Sequence, residues 1–518
     1  MKKTLYFIAV SFFFILVVTP LLMMVGRSFF IDGKFSLESY ASVFTVSTVQ
    51  LLLKSAGIAA TVAISATIAG GFFAFMFTKT DLRWRNVFRI IFLAPLFISP
   101  YIIAVAWVDF FVLLGAGTAF MYSIGGVIFV LSIIFTPLSM IIISSSLANM
   151  SASYEEAGMM FTNYPQVLRK IVVPLNKPAI FSSLILVFVL AISEFSVPAF
   201  LSVRVFTTEI FTQFSAFYNY NQAVSQSLVL IILCLALLLA ERLYLVNAPF
   251  LSVHLKGQRT SRMELKNRQT PALIIHVLYG GLILGVPLFV LFFQSFGGNA
   301  AVFTEAVGLL SSAIGNSISY ALIAAALLVL FGFIFAYVTE REGNKRIELI
   351  LLLTFGIPST VLGIGLIRFF NTASLNFFYS GFGIVIIGYV GRFLFIAEKL
   401  IANALKQIPV SLEEAAQISG AGFGLSLRKI IFPLIADGLF AAFVIGFIFS
   451  LGELGTTILV YPPGTSLMPI KVYTIMANVP QSLTSAMSLI VLLIILAALG
   501  ILFGGYSIIN EKRWSRAS

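Results

Sequence analysis

Charge is scarce in this 518-residue sequence: only 10% of it is Asp, Glu, Lys or Arg, where a soluble domain carries about 25%. A soluble globular domain is thereby excluded as the main body of the chain. Cysteine occurs once, as Cys234 inside an apolar run, so no intrachain disulfide and no cysteine metal site is supported. The two histidines, His254 and His276, are too isolated for a metal cluster. The Gly-x-x-x-x-Gly-Lys-Ser/Thr phosphate loop is missing; the one Gly-Lys pair, Gly33-Lys34, lacks the preceding glycine. No His-rich, Ser-Lys or paired-Asp constellation supports a membrane-embedded enzyme.

What the chain has is apolar length. Sixty per cent of its residues are apolar and the mean hydropathy is +1.06. Apolar runs of about 20 residues, enough to cross roughly 30 Å of hydrocarbon as helices, recur along the whole sequence. They are too long and too rarely alternating for barrel strands. The expected fold is an all-α polytopic membrane protein with twelve spans near 5–28, 50–78, 87–115, 122–148, 178–203, 225–247, 272–296, 309–338, 346–370, 379–405, 435–461 and 480–507. The first run follows Lys2 and Lys3 as in a signal peptide, but it is longer than a signal core and lacks a small-residue cleavage site. It is expected to be retained as the first span.

The formal net charge of +12 raises the question of a nucleic-acid partner. With the N-terminus inside, Lys79, Arg83, Arg85, Arg169, Lys170, Arg341, Lys345, Arg428, Lys429, Lys512 and Arg513 fall on the cytoplasmic side, and only Arg27, Lys34, Arg204 and Lys471 in outer loops. That asymmetry is the positive-inside bias and accounts for the charge without nucleic acid. Both termini are then cytoplasmic.

The chain also repeats. Ser153-Tyr-Glu-Glu-Ala157 matches Ser411-Leu-Glu-Glu-Ala415, and Leu-Arg-Lys-Ile-x-x-Pro-Leu recurs at 168–175 and 427–434. "FAFMFTK" (73–79) aligns with "FAYVTER" (335–341), and "ISEFSVPAFL" (192–201) with "LGELGTTILV" (451–460). Two six-helix halves, residues 1–251 and 272–518, flank a polar, basic cytoplasmic linker at 252–271. Six helices per half preserve orientation, so the repeats are parallel, with a pseudo-two-fold axis expected along the membrane normal. Function is expected where the halves meet.

Each matching stretch, about 151–175 and 409–434, lies between the fourth and fifth span of its half on the inner side. In the second, Ser411 is a candidate N-cap, Glu413 and Glu414 suit a helix start, and Gly420, Gly422 and Gly424 break that helix. The pattern Glu414-Ala415-Ala416, Gly420, Ile430, Pro433 resembles the EAA loop of ATP-binding-cassette (ABC) importer permeases. The first copy departs from it, with Glu156-Ala157-Gly158 and Thr162 at the glycine position. The whole chain resembles fused two-half type I permeases, ferric-iron permeases most of all, with thiamine and aminoethylphosphonate permeases as cousins.

That resemblance implies coupling helices carrying Glu155, Glu156, Ala157, Gly158, Glu413, Glu414, Ala415, Ala416 and Gly420. It implies two copies of a cytoplasmic ABC ATPase holding ATP and Mg, with no cofactor in this chain, and a bacterial inner-membrane location. It implies a periplasmic or lipid-anchored substrate-binding protein meeting "SEFSVPAFL" with "FTTEIFTQF" and "GELGTTILVYPPG" with "IKVYTIM". A secondary transporter or channel is the alternative, but gives no reason for two such loops.

Ionisable residues within spans are costly and call for partners. Glu194 and Glu453 occupy equivalent positions in the fifth and eleventh spans, as pathway or gate residues or as satisfiers of backbone and hydroxyl groups at a helix break. Asp109 and Arg368 align near outer helix ends, as an ion pair or as snorkelling side chains. Arg392 faces an anionic substrate or one of the glutamates, and its first-half counterpart is Ile134. The sequence leaves metal ligands unassigned.

Overall fold

The computed structural model describes residues 2–31, 34–246, 263–296 and 300–514. Within them helix dominates, and the only two-stranded ladder is the short hairpin Phe30–Ile31 with Lys34–Phe35. Seven helices are long and apolar enough to cross a bilayer: Tyr6–Ser28, Val46–Lys79, Ile124–Asn149, Tyr220–Leu243, Lys266–Phe296, Ala301–Arg341 and Gln481–Leu502. Four further spans are bent pairs, Arg85–Phe97 with Pro100–Leu113 (102°), Tyr164–Leu175 with Lys177–Ser193 (61°), Arg346–Phe355 with Ser359–Phe370 (101°), and Phe423–Leu434 with Ala436–Gly452 (73°). The expected span at 379–405 is the helix Gly383–Lys406, which carries Arg392, Glu398 and Lys399 among buried apolar residues.

Two bends fall inside expected spans, the third (87–115) and the ninth (346–370), while the other two fall where the expected loops meet the fifth and eleventh spans; proline explains the first two. Pro100 opens the second arm of the third span, and Ser99 before it is extended at ψ 134°; in the ninth, Pro358 is itself the extended cap residue, at ψ 144°, of the second arm Ser359–Phe370. A residue preceding proline avoids helical ψ, and proline offers no N–H to the previous turn. The same chemistry accounts for four π-helical turns, Phe14–Val18, Leu168–Val172, Gly281–Gly285 and Leu427–Ile431. Each is followed two residues later by proline: Pro20, Pro174, Pro287 and Pro433. Widening to i→i−5 bonding, as from the Val173 N–H to the Leu168 carbonyl, makes room where the ring would strike the earlier carbonyl.

The chain packs as two compact units. One comprises Met1–Tyr40, Gln213–Leu228 and Gly298–Ser518; the other Ala41–Thr212 and Val229–Gly297. The first helix of each sequence repeat is therefore packed with the rest of the other repeat. In the first unit Phe12 stacks on Phe331 with ring centroids 5.3 Å apart, and Val17 lies against Gly391. In the second, His276 is buried among Phe73, Phe77, Phe88 and Phe92, its Nδ1 2.7 Å from the Ala272 carbonyl.

Matching glycines let the long helix of each repeat approach its neighbour closely. A Cβ on Gly70 would lie 2.6 Å from Ser139 Cβ and 2.8 Å from the Thr136 carbonyl oxygen, so Val46–Lys79 and Ile124–Asn149 touch backbone to backbone. Gly332, its repeat counterpart, meets Ala397 and Glu398 of Gly383–Lys406 at 3.3 Å. The loops at 151–175 and 409–434 hang from these helix pairs.

Candidate functional site

Each repeat builds its loop from a short helix followed by a π turn. The first short helix is Ala152–Met159, and the Ser151 hydroxyl caps it by accepting from the Ser153 N–H at 3.3 Å. The second is Val410–Ile418, whose cap position is Pro409; Ser411 lies inside the helix, contrary to the expected N-cap. Gly420 takes φ +82°, the left-handed conformation that ends a helix at little cost for glycine. Gly422 is extended at the cap of Phe423–Ser426, and Gly424 lies within that turn rather than breaking a helix.

The adjacent carboxylates separate. Glu155 and Glu413 are buried, whereas Glu156 and Glu414 are exposed. Glu155 is ion-paired with Lys79, and neither side chain has more than 1% exposure. Glu413 Oε1 accepts from Arg341 Nε at 2.6 Å, and its Oε2 from the Tyr337 hydroxyl at 2.8 Å. Arg341 also donates to the carbonyls of Leu405 (3.3 Å) and Ile408 (3.0 Å), so one guanidinium ties three segments together. Lys79 and Arg341 are the last residues of their long helices.

The small residues separate likewise. Ala157 and Ala415 are exposed, while Gly158 and Ala416 face their own bundle. A Cβ on Gly158 would stand 2.6 Å from Ile171 Cδ1. Apolar tips project beyond the carboxylates: Phe161 is 88% exposed and Met160 82% in the first loop, and Ile418 is 89% exposed in the second. At the foot of the first loop, residues 263–269 of the linker are fastened to the same helix end. The Met263 N–H donates to the Lys79 carbonyl at 2.8 Å, and Asp81 accepts from the Leu265 N–H and the Gln269 amide. Residues 252–262 of the expected linker lie outside the described residues.

Glu194 and Glu453 do not lie inside helices. Each is the residue at which its helix stops, extended at ψ 130° and 122°. Glu194 Oε1 accepts from the Ser196 N–H at 2.8 Å and from the Ser196 hydroxyl. Glu453 accepts from the N–H groups of Thr456 (2.7 Å) and Thr457 (2.9 Å) and from the Thr457 hydroxyl (2.5 Å). Both carboxylates thus receive the orphan donors of the short helix that follows, Ser196–Phe200 or Thr457–Val460. The outer segments beyond are seated by matching serines: the Phe206 N–H donates to Ser55 Oγ at 2.8 Å, the Met468 N–H to Ser317 Oγ at 2.9 Å.

Arg392 donates to the carbonyls of Ile357 (2.7 Å) and Phe355 (3.4 Å), where the ninth span breaks. It thereby caps the C-terminal end of Lys345–Phe355, a placement that a helix end favours for a cation. Asp109 is buried in Pro100–Leu113, and the Arg368 guanidinium lies 5.4 Å from the centre of the Tyr220 ring. Among the described residues no group of three or more His, Cys, Asp or Glu gathers as a metal site.

Residues 328–514 match the family model of the binding-protein-dependent transport system inner membrane component, a region that holds the whole second loop. A putative ferric transport system permease protein of Haemophilus influenzae is 27% identical over 475 residues, covering 85% of this chain and 74% of that protein. The chain is similar to ABC importer permeases along most of its length. A ferric transport system permease protein of Actinobacillus pleuropneumoniae is 27% identical to this chain over 478 residues, 85% of this chain and 69% of its own length. A putative 2-aminoethylphosphonate transport system permease protein of Salmonella typhimurium is 27% identical over 135 residues, 26% of this chain and 49% of its own. These relatives are transport permeases, and the apolar helices of this chain fit a multi-pass inner-membrane protein of that kind.

Several residues of the permease site escape inspection of the loops alone. Lys79, Arg341, Tyr337, Ser55 and Ser317 sit far from their partners in sequence, yet Lys79 and Arg341, and Ser55 and Ser317, occupy matching positions in the repeats. That register was the available signal. Glu398 gave none: it is fully buried with neither oxygen hydrogen-bonded, and the Lys399 ammonium, itself bonded to Glu348, lies 3.7 Å from Oε2.

Proposed function

We propose that the permease carries ferric iron inward by alternating access, driven by ATP hydrolysed with Mg on two copies of a separate cytoplasmic ATPase, one at each loop. One observation carries the ATPase part. In both repeats one carboxylate of the pair is engaged by the bundle, and its neighbour, Glu156 or Glu414, is left exposed beside a bare apolar tip. A plain connector needs no such division, whereas a docking knuckle needs a rigid base, a charged contact and apolar area. The ferric-iron part rests on the two ferric relatives. A periplasmic or lipid-anchored binding protein delivers the cargo to the segments around Phe206–Ser215 and Met468–Ile475 and supplies most of the selectivity. The positive-inside bias supports a cytoplasmic position for both termini and both loops.

Co-purification tests the reading. Tagged permease co-expressed with the ATPase subunit retains it, and the double variant Glu156→Arg/Glu414→Arg loses it. Undiminished capture by the double variant would overturn the assignment.

A further inference from the structure

We infer that each coupling helix is locked to its own bundle by a buried set of carboxylate, cation and phenol, and that the two repeats supply the phenol from opposite partners. The inference deepens, and rests on, the reading of these loops as the elements that engage an ATPase. In the second repeat the phenol belongs to the long helix: Tyr337 donates to Glu413, and its ring packs on Phe423 of the loop with centroids 5.7 Å apart. In the first repeat the long helix has Phe75 at the matching position, and the loop carries Tyr164 where the second carries Phe423. Those rings meet at 6.3 Å. Tyrosine and phenylalanine have changed places across one contact.

The hydroxyl nonetheless serves the same carboxylate. The Tyr164 hydroxyl and Glu155 Oε2 are both buried with no partner within ordinary hydrogen-bond limits, and burial together with the charge and hydrogen bonding of the Glu155 carboxylate pushes the phenol's pKa up. Two adjacent unsatisfied groups, one donor and one acceptor, are each costly alone and complete each other on a small side-chain shift. The cations differ as well. Arg341 braces Glu413 and two carbonyls, whereas Lys79 is a point charge whose helix end is held through its backbone by Met263. Tyr164 and Tyr337 are therefore positioning residues: they hold the base of the knuckle so that movement of its tip reaches the long helix instead of being absorbed by the loop.

The exchange supplies its own test. Tyr337→Phe and Tyr164→Phe each remove one hydroxyl, and the pairs Tyr337→Phe/Phe423→Tyr and Tyr164→Phe/Phe75→Tyr return it from the other side of the contact. Two measurements are made on the permease–ATPase complex: cargo moved per ATP hydrolysed, and amide hydrogen exchange across 410–418 or 152–159. One hydrogen bond to a carboxylate is worth about a tenfold change in local opening. Each single variant is expected to keep the ATPase bound, to speed exchange about tenfold in its own loop only, and to lower the coupling ratio. Each exchanged pair is expected to restore both readings to within about twofold. Single variants that exchange and couple like the parent, or exchanged pairs that fail to recover, would overturn the inference. Failure of the parent permease to hold an ATPase would instead sink the coupling reading, while the exchange data still judge the lock.

Discussion

Removing the Glu453 carboxylate is the perturbation that separates a helix cap from a pathway ligand. Its oxygens accept from two backbone N–H groups and one hydroxyl, at 2.7, 2.9 and 2.5 Å, in a buried setting. Hydrogen bonds to a charged acceptor contribute about 1.5–3 kcal/mol each, and bonds sharing one group do not add. Desolvation of the buried charge, recovered on its removal, offsets part of the loss. Glu453→Ala is therefore expected to destabilise the second-repeat unit by about 2–4 kcal/mol, net of these opposing terms. Glu453→Gln keeps one acceptor for Thr456 but sets an amide donor against Thr457, so roughly half that loss is expected. The assay is the midpoint of thermal unfolding in detergent, read beside uptake in proteoliposomes. The order parent, Gln, Ala is expected in both, with midpoints lowered by several degrees and uptake tracking the folded fraction. An Ala variant of parental stability with abolished uptake would refute the cap and make the carboxylate a cargo ligand.

Arg392→Met leaves the Phe355 and Ile357 carbonyls without their donor; a loss of about 2–3 kcal/mol is expected in the same assay, with Arg392→Lys retaining part of it. If Arg392→Met changes cargo affinity but not stability, the capping role fails. Gly70→Ala drives a Cβ to 2.6 Å from Ser139 and is expected to cost about 1–3 kcal/mol, whereas Gly57→Ala, with nothing within 4 Å, serves as the neutral control. Equal midpoints for the two would contradict the glycine-set helix approach. Cys234 is the only cysteine and is buried, so a Cys234→Ser background is suited to site labelling. Phe161→Cys and Ile418→Cys, at tips 88% and 89% exposed, are expected to react with an impermeant maleimide in inside-out vesicles and not in right-side-out ones. Labelling from the outside would invert the topology.

The gross fold was legible because two signals are strong in this chain. Apolar length marks spans almost without regard to packing, and the long-range echo at Ser153 and Ser411 sets register and orientation. Even the charged helix Gly383–Lys406 falls on the apolar run expected at 379–405. Bends were less legible, since proline alone does not decide them: past a π turn the chain bends just after Pro174 and Pro433. Pro100 bends its span by 102°, whereas Pro20 sits two residues past a π turn within a helix counted as one straight span. Partnership was least legible. The sequence left Glu194 and Glu453 open between pathway residues and satisfiers of a helix break, and Arg392 between an anion and a glutamate; their donors and carbonyls at helix breaks are visible only in the folded backbone. The two glutamates of each loop look alike in sequence; burial alone distinguishes the anchoring one from the exposed one.

Proteoliposomes containing the permease, its ATPase and the loaded binding protein give the most direct test of the coupling account. Ferric iron is expected to accumulate only when ATP and all three components are present, and accumulation is expected to vanish with Glu156→Arg/Glu414→Arg. Iron entering vesicles that hold the permease alone, driven by an ion gradient without nucleotide, would contradict it.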